Sequence, residues 1–559
     1  MTIEIISEAL GDRNFSPCDP VKSGAYCFAG NILCNGEQVP IEFELRDLDF
    51  ISPPIIRVLK RPKKLEGFQP HFGVNDELCY INKGMVYLDR YNPEGVVYGC
   101  LDKASEVLSN LASKNPDNDT HDEFASYWNG NYLYIDTSDS YEGVISVVIA
   151  ETVHGKKTLL AGENPLKRVQ QLENIGWKSN KVLQEGGYIF LSSVSPAVTG
   201  ANWPPKTLDQ ALNWIKSNDE ELYKKVYRQF TCQWFTKTNT VFLVFRTPGG
   251  DFGFRFKLDK KLKEKLGKKP KYFRNYLINH GSYFKIERLV GFRFDQNYIH
   301  SRNLIDNKNF CNKRILLAGC GTIGGYLATY LARLGAGLGN KGRLIVCDPE
   351  DLNPENVGRH VLGMYALLGN KSQAVKNLIL NEFPHLNIDS RPVDVREVKE
   401  LYNVDIVIDA TGEEGFSIAL NEIFTQRRLA GNKIPDVLHV WTGGAGEVAQ
   451  ALMVDSLKTA CYSCLYIRHP NGEVTERYPT TKAGDESNKY KRVGCDSFMP
   501  FPVSASVQTA SLAIDMMLDW IRDISSPRFR TKVLNIKNSI ILKDQDAPPL
   551  KNCPACQKK

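Results

Sequence analysis

A glycine-rich turn, GCGTIGG at residues 319–325, constrains what this chain can fold into more than any other feature. In RILLAGCGTIGGYLATYLARLGA the apolar run before Gly319 reads as a buried strand, and the apolar residues after Gly324 recur at helical spacing. Gly319, Gly321 and Gly324 form G-x-G-x-x-G at that junction. The first glycine permits a tight turn, the second lets backbone approach a phosphate, and the third allows close helix–strand packing. The helix N-terminus then faces the anion. The texture continues with a strand in GRLIVCDPEDL, a helix in KSQAVKNLILNEF and a strand in VDIVIDATGEE. That order predicts a doubly wound, mostly parallel sheet of Rossmann type, with its ligand outside the C-terminal strand ends.

The motif alone fits NAD, FAD or ATP. Asp348 ends the second strand, 24 residues after Gly324, where an acceptor for ribose hydroxyls belongs. The stretch beyond it separates the readings. DPEDLNPENVGRH sets Asn356 and Arg359 just past that strand, and Lys371 opens the next helix in GNKSQA. A dehydrogenase rarely needs an arginine and a lysine in one crevice. Adenylation does, because negative charge builds on the α-phosphate and the departing pyrophosphate.

With those stretches, VIDATGE, CYSC, GCDSFMPFPVSASVQTASLAIDMML and the terminal CPAC, residues 308–559 resemble the ThiF/MoeB and ubiquitin-activating superfamily, which adenylates the C-terminal glycine of a small protein. The resemblance implies that Gly319, Gly321, Gly324 and Asp348 hold ATP and that Asn356, Arg359 and Lys371 contact its phosphates. It also implies Mg²⁺, but Gly412 stands where the family carries its metal-binding aspartate, leaving Asp409 or Glu413 as substitutes.

Fourteen cysteines behind a start, MTIEIISEALGDRNF, that is unlike a signal peptide argue for reduced thiols and a cytoplasmic protein. Cys232, Cys320 and Cys347 read as core residues. Two C-x-x-C pairs, Cys461–Cys464 and Cys553–Cys556, have the ligand chemistry of a tetrahedral Zn²⁺ site. The superfamily resemblance implies that the four act together, with zinc tying the tail to the domain. Cys495 comes after a polar stretch and precedes an apolar helix, with Lys489, Lys491 and Arg492 near it in sequence, and nearby cations lower a thiol pKa. In thioester-forming relatives the nucleophile occupies this place.

Before residue 306 the pattern is α+β. PIEFELRDLDF and PIIRVLK alternate like strands, and LDKASEVLSNLASK has helical spacing. HFGVNDELCYINKGMVYLDRYNPEGVVYGCLDKASEVLSNL resembles the core of ubiquitin-conjugating enzymes over roughly residues 20–115. On that match Cys79 is the reactive cysteine, and Cys100, in apolar VVYGCL, is its rival. The family's His-Pro-Asn element is not intact, although His71 and Asn75 lie nearby. The expected division is a conjugating-like domain at 1–135, a mixed α/β middle domain at 136–305 and the adenylating domain at 306–559.

Charge and hydropathy limit the remaining classes. No apolar run approaches a membrane span. Eight lysines between Lys257 and Lys271, against Asp259 and Glu264, account for the whole formal charge of +6, so nucleic acid is not an expected partner. A conjugating-like domain ahead of an activating-like one resembles the fusion enzymes of bacterial CBASS anti-phage operons. That resemblance implies attachment of a cGAS-like nucleotidyltransferase, through its C-terminal tail, to a target protein amine. It also implies a homodimer through the adenylating domain. Sulfur-carrier activation, a non-catalytic nucleotide-binding scaffold and an NAD dehydrogenase are the competing readings.

Overall fold

The computed structural model describes residues 2–20, 24–66, 71–81, 84, 86–113, 124–179, 185–198, 203–266, 268–481, 491–493, 496–537 and 539–557. Two compact units emerge: residues 1–149, 157–165 and 180–293, and residues 150–156, 166–179 and 294–559. Among the described residues no helix is long and apolar enough to cross a membrane.

The first unit opens with an antiparallel sheet in chain order, Ser16–Cys18, Tyr26–Cys34, Glu37–Leu45 and Ile55–Val58. Asn35 and Gly36, both at positive φ, make the two-residue turn that joins the second and third strands. Val39, Ile41, Phe43 and Leu45 alternate into the core, as a half-covered strand requires. They share that core with Val97, Cys100, Leu101, Ala104 and Leu108 of the helix Pro93–Ala112, spaced to fall on one face. This helix starts earlier than its apolar periodicity suggests. Asn92 caps it, its side chain accepting from Gly95 N at 3.0 Å, and Pro93 occupies the first turn, where a missing N–H costs nothing.

The same unit holds a larger mixed sheet in the order Lys157–Gly162, Asn131–Asp136, Glu287–Arg293, Gly250–Lys257, Thr240–Thr247, Glu185–Leu191, Gly143–Glu151. The boundary expected after residue 135 falls inside its strand Asn131–Asp136. The helix Phe124–Trp128 also packs here, Trp128 donating its indole N–H to Gly253 O at 2.9 Å. Phe124, Trp128, Trp214 and Phe252 form the aromatic centre of this core.

The second unit has the expected doubly wound sheet. Its strands run Ile388–Arg391, Arg343–Cys347, Arg314–Ala318, Ile406–Asp409, Asp436–Gly443, Val448–Val454, Phe529–Val533, the first five mutually parallel and Val448–Val454 antiparallel to both its neighbours. Both faces are covered, so the central strands Arg314–Ala318, Arg343–Cys347 and Ile406–Asp409 are buried and largely apolar rather than alternating. Ile315, Leu317, Ile406 and Ile408 pack with the helices Thr322–Arg333 and Val503–Ile521. Leu316, Ala318 and Val407 face the opposite layer, with Leu420, Phe424 and the four C-x-x-C cysteines. Strand order reverses between Arg314–Ala318 and Ile406–Asp409, and a crevice opens at the C-terminal end of such a switch point.

Candidate functional site

Gly319 leaves the first strand of that crevice at φ +88°, a conformation that disfavours a side chain. A Cβ there would lie 2.8 Å from Ala410 O and 2.9 Å from Thr411 Cα. A Cβ on Gly324 would meet Gly319 O at 1.9 Å, which is the close packing its motif position requires. Gly321 differs: a Cβ there meets nothing within 4 Å, and the residue starts the helix Thr322–Arg333 without any side-chain cap. The first-turn N–H groups therefore keep their hydrogen-bonding capacity, at the positive end of the helix dipole.

Asp348 is buried beside this turn. Its Oδ2 accepts from Cys320 N at 2.7 Å and its Oδ1 from Glu350 N at 2.9 Å. Burial pushes its carboxyl above the ordinary value, and those two N–H groups work against that shift. The carboxylate thus braces the turn as well as standing where a ribose acceptor belongs. His360, unassigned from sequence, braces the turn's other side: its Nε2–H donates to Cys320 O at 2.7 Å, while Nδ1 accepts from Leu362 N at 3.0 Å. Burial lowers its pKa, as this neutral arrangement demands.

The cations expected at the crevice meet the same network. Lys371, only 5% exposed, opens the helix Lys371–Glu382, which Asn370 caps through Gln373 N at 3.1 Å. Its ammonium pairs with the Glu350 carboxylate, which is itself 62% exposed. An entering anion can therefore displace that carboxylate into solvent and take its place. Asn370 ties the segment back, donating to Asp348 O at 2.9 Å. Arg359 is half-buried, its guanidinium 4.3 Å from the centre of the Phe501 ring. Its Nε is buried and finds no partner among the described residues. An unpaired N–H in a buried position is costly, which makes the site suited to an anion. Asn356 is engaged locally, its Oδ1 accepting from Asn353 N at 3.2 Å within the capping box of Pro354–Val357.

The structure also separates the substitutes for the missing aspartate. Gly412 sits at φ +71° on an exposed turn. Asp409 is 1% exposed, with Oδ1 held by Thr411 and Oδ2 by His439 Nδ1 at 2.8 Å, so it is committed inside the fold. Glu413 is exposed beside the turn.

Cys461, Cys464, Cys553 and Cys556 converge, all buried, with Sγ atoms within 4.8 Å of one another. The closest separations are 3.7, 3.7 and 3.4 Å. Zinc–thiolate bonds of about 2.3 Å set a tetrahedral S–S edge of about 3.8 Å, so the four thiols fit Zn²⁺. Asn421 Nδ2, at 3.5 Å from Cys461 Sγ, and Leu550 N, at 3.3 Å from Cys464 Sγ, supply the outer N–H groups such a site needs. Of the expected core cysteines, Cys320 and Cys347 are fully buried, whereas Cys232 is half-buried.

In the first unit Cys79 is exposed between buried Leu78 and Tyr80. Its backbone is clamped by His71, whose O accepts from Cys79 N at 2.7 Å and whose Nδ1–H meets Cys79 O at 3.0 Å. His71 itself sits at φ +63°, and its backbone N–H donates to the Tyr127 hydroxyl oxygen at 2.9 Å. Asn75 lies at φ +59° in the intervening loop. Cys100 is 1% exposed, and burial pushes its thiol up to about 11. Cys495 lies outside the described residues.

Two family matches divide the chain as these sites do: residues 301–555 match the ThiF family, and residues 20–132 match prokaryotic E2 family B. An activating-type domain and a conjugating-type domain thus share one polypeptide. An "ATP-dependent ubiquitin transferase-like protein Cap2" from Pseudomonas aeruginosa (strain BWHPSA011 / Pa011) is 32% identical over 525 residues, covering 92% of this chain and 91% of that one. Proteins of the same description from Escherichia coli (strain TW11681) and Vibrio cholerae serotype O1 are 26% and 27% identical, over 93% and 84% of this chain and 91% and 84% of theirs. The chain belongs to this family of ATP-dependent ubiquitin transferase-like enzymes.

Proposed function

We propose that the enzyme adenylates the C-terminal glycine of a partner protein and passes the acyl group through two of its own cysteines to a protein amine. The observation that carries this reading is the pair of cations, half-buried Arg359 with its unpartnered Nε and buried Lys371, beside an uncapped helix N-terminus. Gly319, Gly321 and Gly324 would cradle the ATP phosphates, and Asp348 would receive the ribose. A carboxylate oxygen of the partner attacks the α-phosphorus, the bond to pyrophosphate breaks, and Arg359 and Lys371 offset the charge that develops. Asn356 holds the phosphate-facing loop.

The Cys495 thiolate then attacks the acyl carbon and AMP leaves. Cys79 takes the acyl group by thioester exchange, and a target amine displaces it to give an amide and free thiol. Exposure of Cys79 and burial of Cys100 favour this assignment, since only an accessible thiol meets an acyl donor. Fusion of the two domains raises the local concentration of the second thiol.

Mg²⁺ accompanies ATP, with Glu413 as the protein ligand candidate. Zn²⁺, held by Cys461, Cys464, Cys553 and Cys556, fastens the C-terminal tail. The acyl donor in this reading is a cGAS-like nucleotidyltransferase, in a cytoplasmic anti-phage CBASS setting, and the working form is a homodimer through the adenylating domain. The adenylating domain and the exposed conjugating cysteine together favour conjugation over sulfur transfer. Intact-protein mass spectrometry with ATP and a glycine-ended partner tests the relay. Cys495→Ala abolishes acyl transfer while pyrophosphate exchange continues, and Cys79→Ala leaves the adduct on Cys495. Loss of exchange in Cys495→Ala contradicts its role.

A further inference from the structure

None of these steps uses the Asp409–His439 pair, yet both side chains are only 1% exposed. Asp409 closes the strand at the switch point, and each of its oxygens is spoken for. Oδ1 accepts from Thr411 N at 3.2 Å and from Thr411 Oγ1 at 2.8 Å, and Oδ2 accepts from His439 Nδ1 at 2.8 Å. These bonds fix the turn at the strand's end. Because Ala410 O and Thr411 Cα stand within 2.9 Å of where a Gly319 Cβ would be, that turn abuts the glycine-rich turn with no side chain between them.

His439 is wedged between this turn and the tetracysteine cluster. Its ring lies 4.6 Å from that of Tyr462, which stands between Cys461 and Cys464 in sequence. Tyr462 is fixed in turn by Asn421, whose Oδ1 accepts from Tyr462 N at 3.0 Å. The other ring nitrogen of His439, Nε2, is buried and has no partner among the described residues. An unpaired buried polar atom lowers stability. A side chain that merely filled this space would be apolar, so the cost points to a role for the Nδ1–H bond.

We infer that His439 is a positioning residue, which holds Asp409 and the Thr411–Gly412 turn against the glycine-rich turn and so sets the affinity of the crevice for ATP. The inference deepens the adenylation reading and rests on it. His439→Leu removes the Nδ1–H donor at similar volume. His439→Asn places an amide N–H near the Nδ1 position, whereas His439→Gln reaches only the Nε2 position.

Titration calorimetry with ATP, zinc content and ATP–pyrophosphate exchange are measured on the full-length variants. His439→Leu weakens ATP binding about tenfold, the effect of losing one charge-assisted hydrogen bond, with zinc content maintained and Tm lowered, because Asp409 Oδ2 is then buried without that donor. His439→Asn restores binding to within about threefold, and His439→Gln does not. Thr411→Val, which deletes only the Oγ1 bond to Asp409, weakens binding in the same direction and serves if His439→Leu does not fold. Unchanged affinity in Leu and Val variants, or equal impairment of Asn and Leu, overturns the inference. Failure of the adenylation reading looks different: wild-type protein binds ATP but exchanges no pyrophosphate.

Discussion

Arg359→Met separates the activity of the crevice from the stability of the fold, because the two should move in opposite directions. The arginine has a buried Nε without a partner among the described residues and a guanidinium seated 4.3 Å from the Phe501 ring centre. Leaving such a donor unsatisfied costs about 1–3 kcal/mol, while the cation–π contact returns about 0.5–1 kcal/mol. Methionine keeps the apolar stem over Phe501 and removes the charge. Unfolding free energy should therefore stay level or rise by about 0–2 kcal/mol. In the transition state, loss of one preorganised cationic donor costs about 3–4 kcal/mol, or roughly 10²–10³-fold in turnover. Urea denaturation and ATP–pyrophosphate exchange measure the two terms on one preparation. A variant that loses several kcal/mol of stability yet exchanges pyrophosphate normally would make Arg359 a structural residue and refute the reasoning.

The glycines of the turn should divide in the same way. Gly324→Ala forces a Cβ to 1.9 Å from Gly319 O and should prevent soluble folding, whereas Gly321→Ala meets nothing within 4 Å and should fold normally while losing ATP affinity by calorimetry. Cys553→Ser should cut bound zinc, measured by plasma mass spectrometry, from one per chain to well below it, and should lower the Tm of the full-length protein. His385 gives a pH prediction. It shares a 2.9 Å hydrogen bond with His300, and burial, followed by the charges of His300 and Arg168, lowers its pKa to about 3. A histidine held neutral in the fold contributes stability above its unfolded pKa of about 6.5, and that stability is lost as pH falls below it. Between pH 7.5 and 5 it should cost about 2 kcal/mol of unfolding free energy, a slope that His385→Gln reduces and that its absence in wild type would contradict.

The doubly wound sheet was legible because its signals are local. A strand, three glycines at fixed spacing and an amphipathic helix lie within one continuous segment, and Asp348, Arg359 and Lys371 come after it at strand ends and helix starts. The structure brings these residues to one end of the sheet. The early start of the helix Pro93–Ala112 was signalled by Asn92-Pro93, but the proline and glycine there also suit a turn. His360 and the Asp409–His439 pair had no local signature. Each acts across parallel neighbours or returning loops, so its partners are fixed by tertiary contacts and not by spacing. The order of the mixed sheet was hidden for the same reason: Asn131–Asp136 pairs in parallel with Glu287–Arg293, far along the chain. Cys495 rests on sequence alone.

The most direct test is ATP–pyrophosphate exchange by the purified full-length enzyme with a glycine-ended partner protein. Exchange that requires both the partner's C-terminal carboxylate and the intact crevice, and that disappears when that carboxylate is amidated, is the expected result. Exchange that ignores amidation, or no release of pyrophosphate at all, would contradict carboxyl adenylation as the first step.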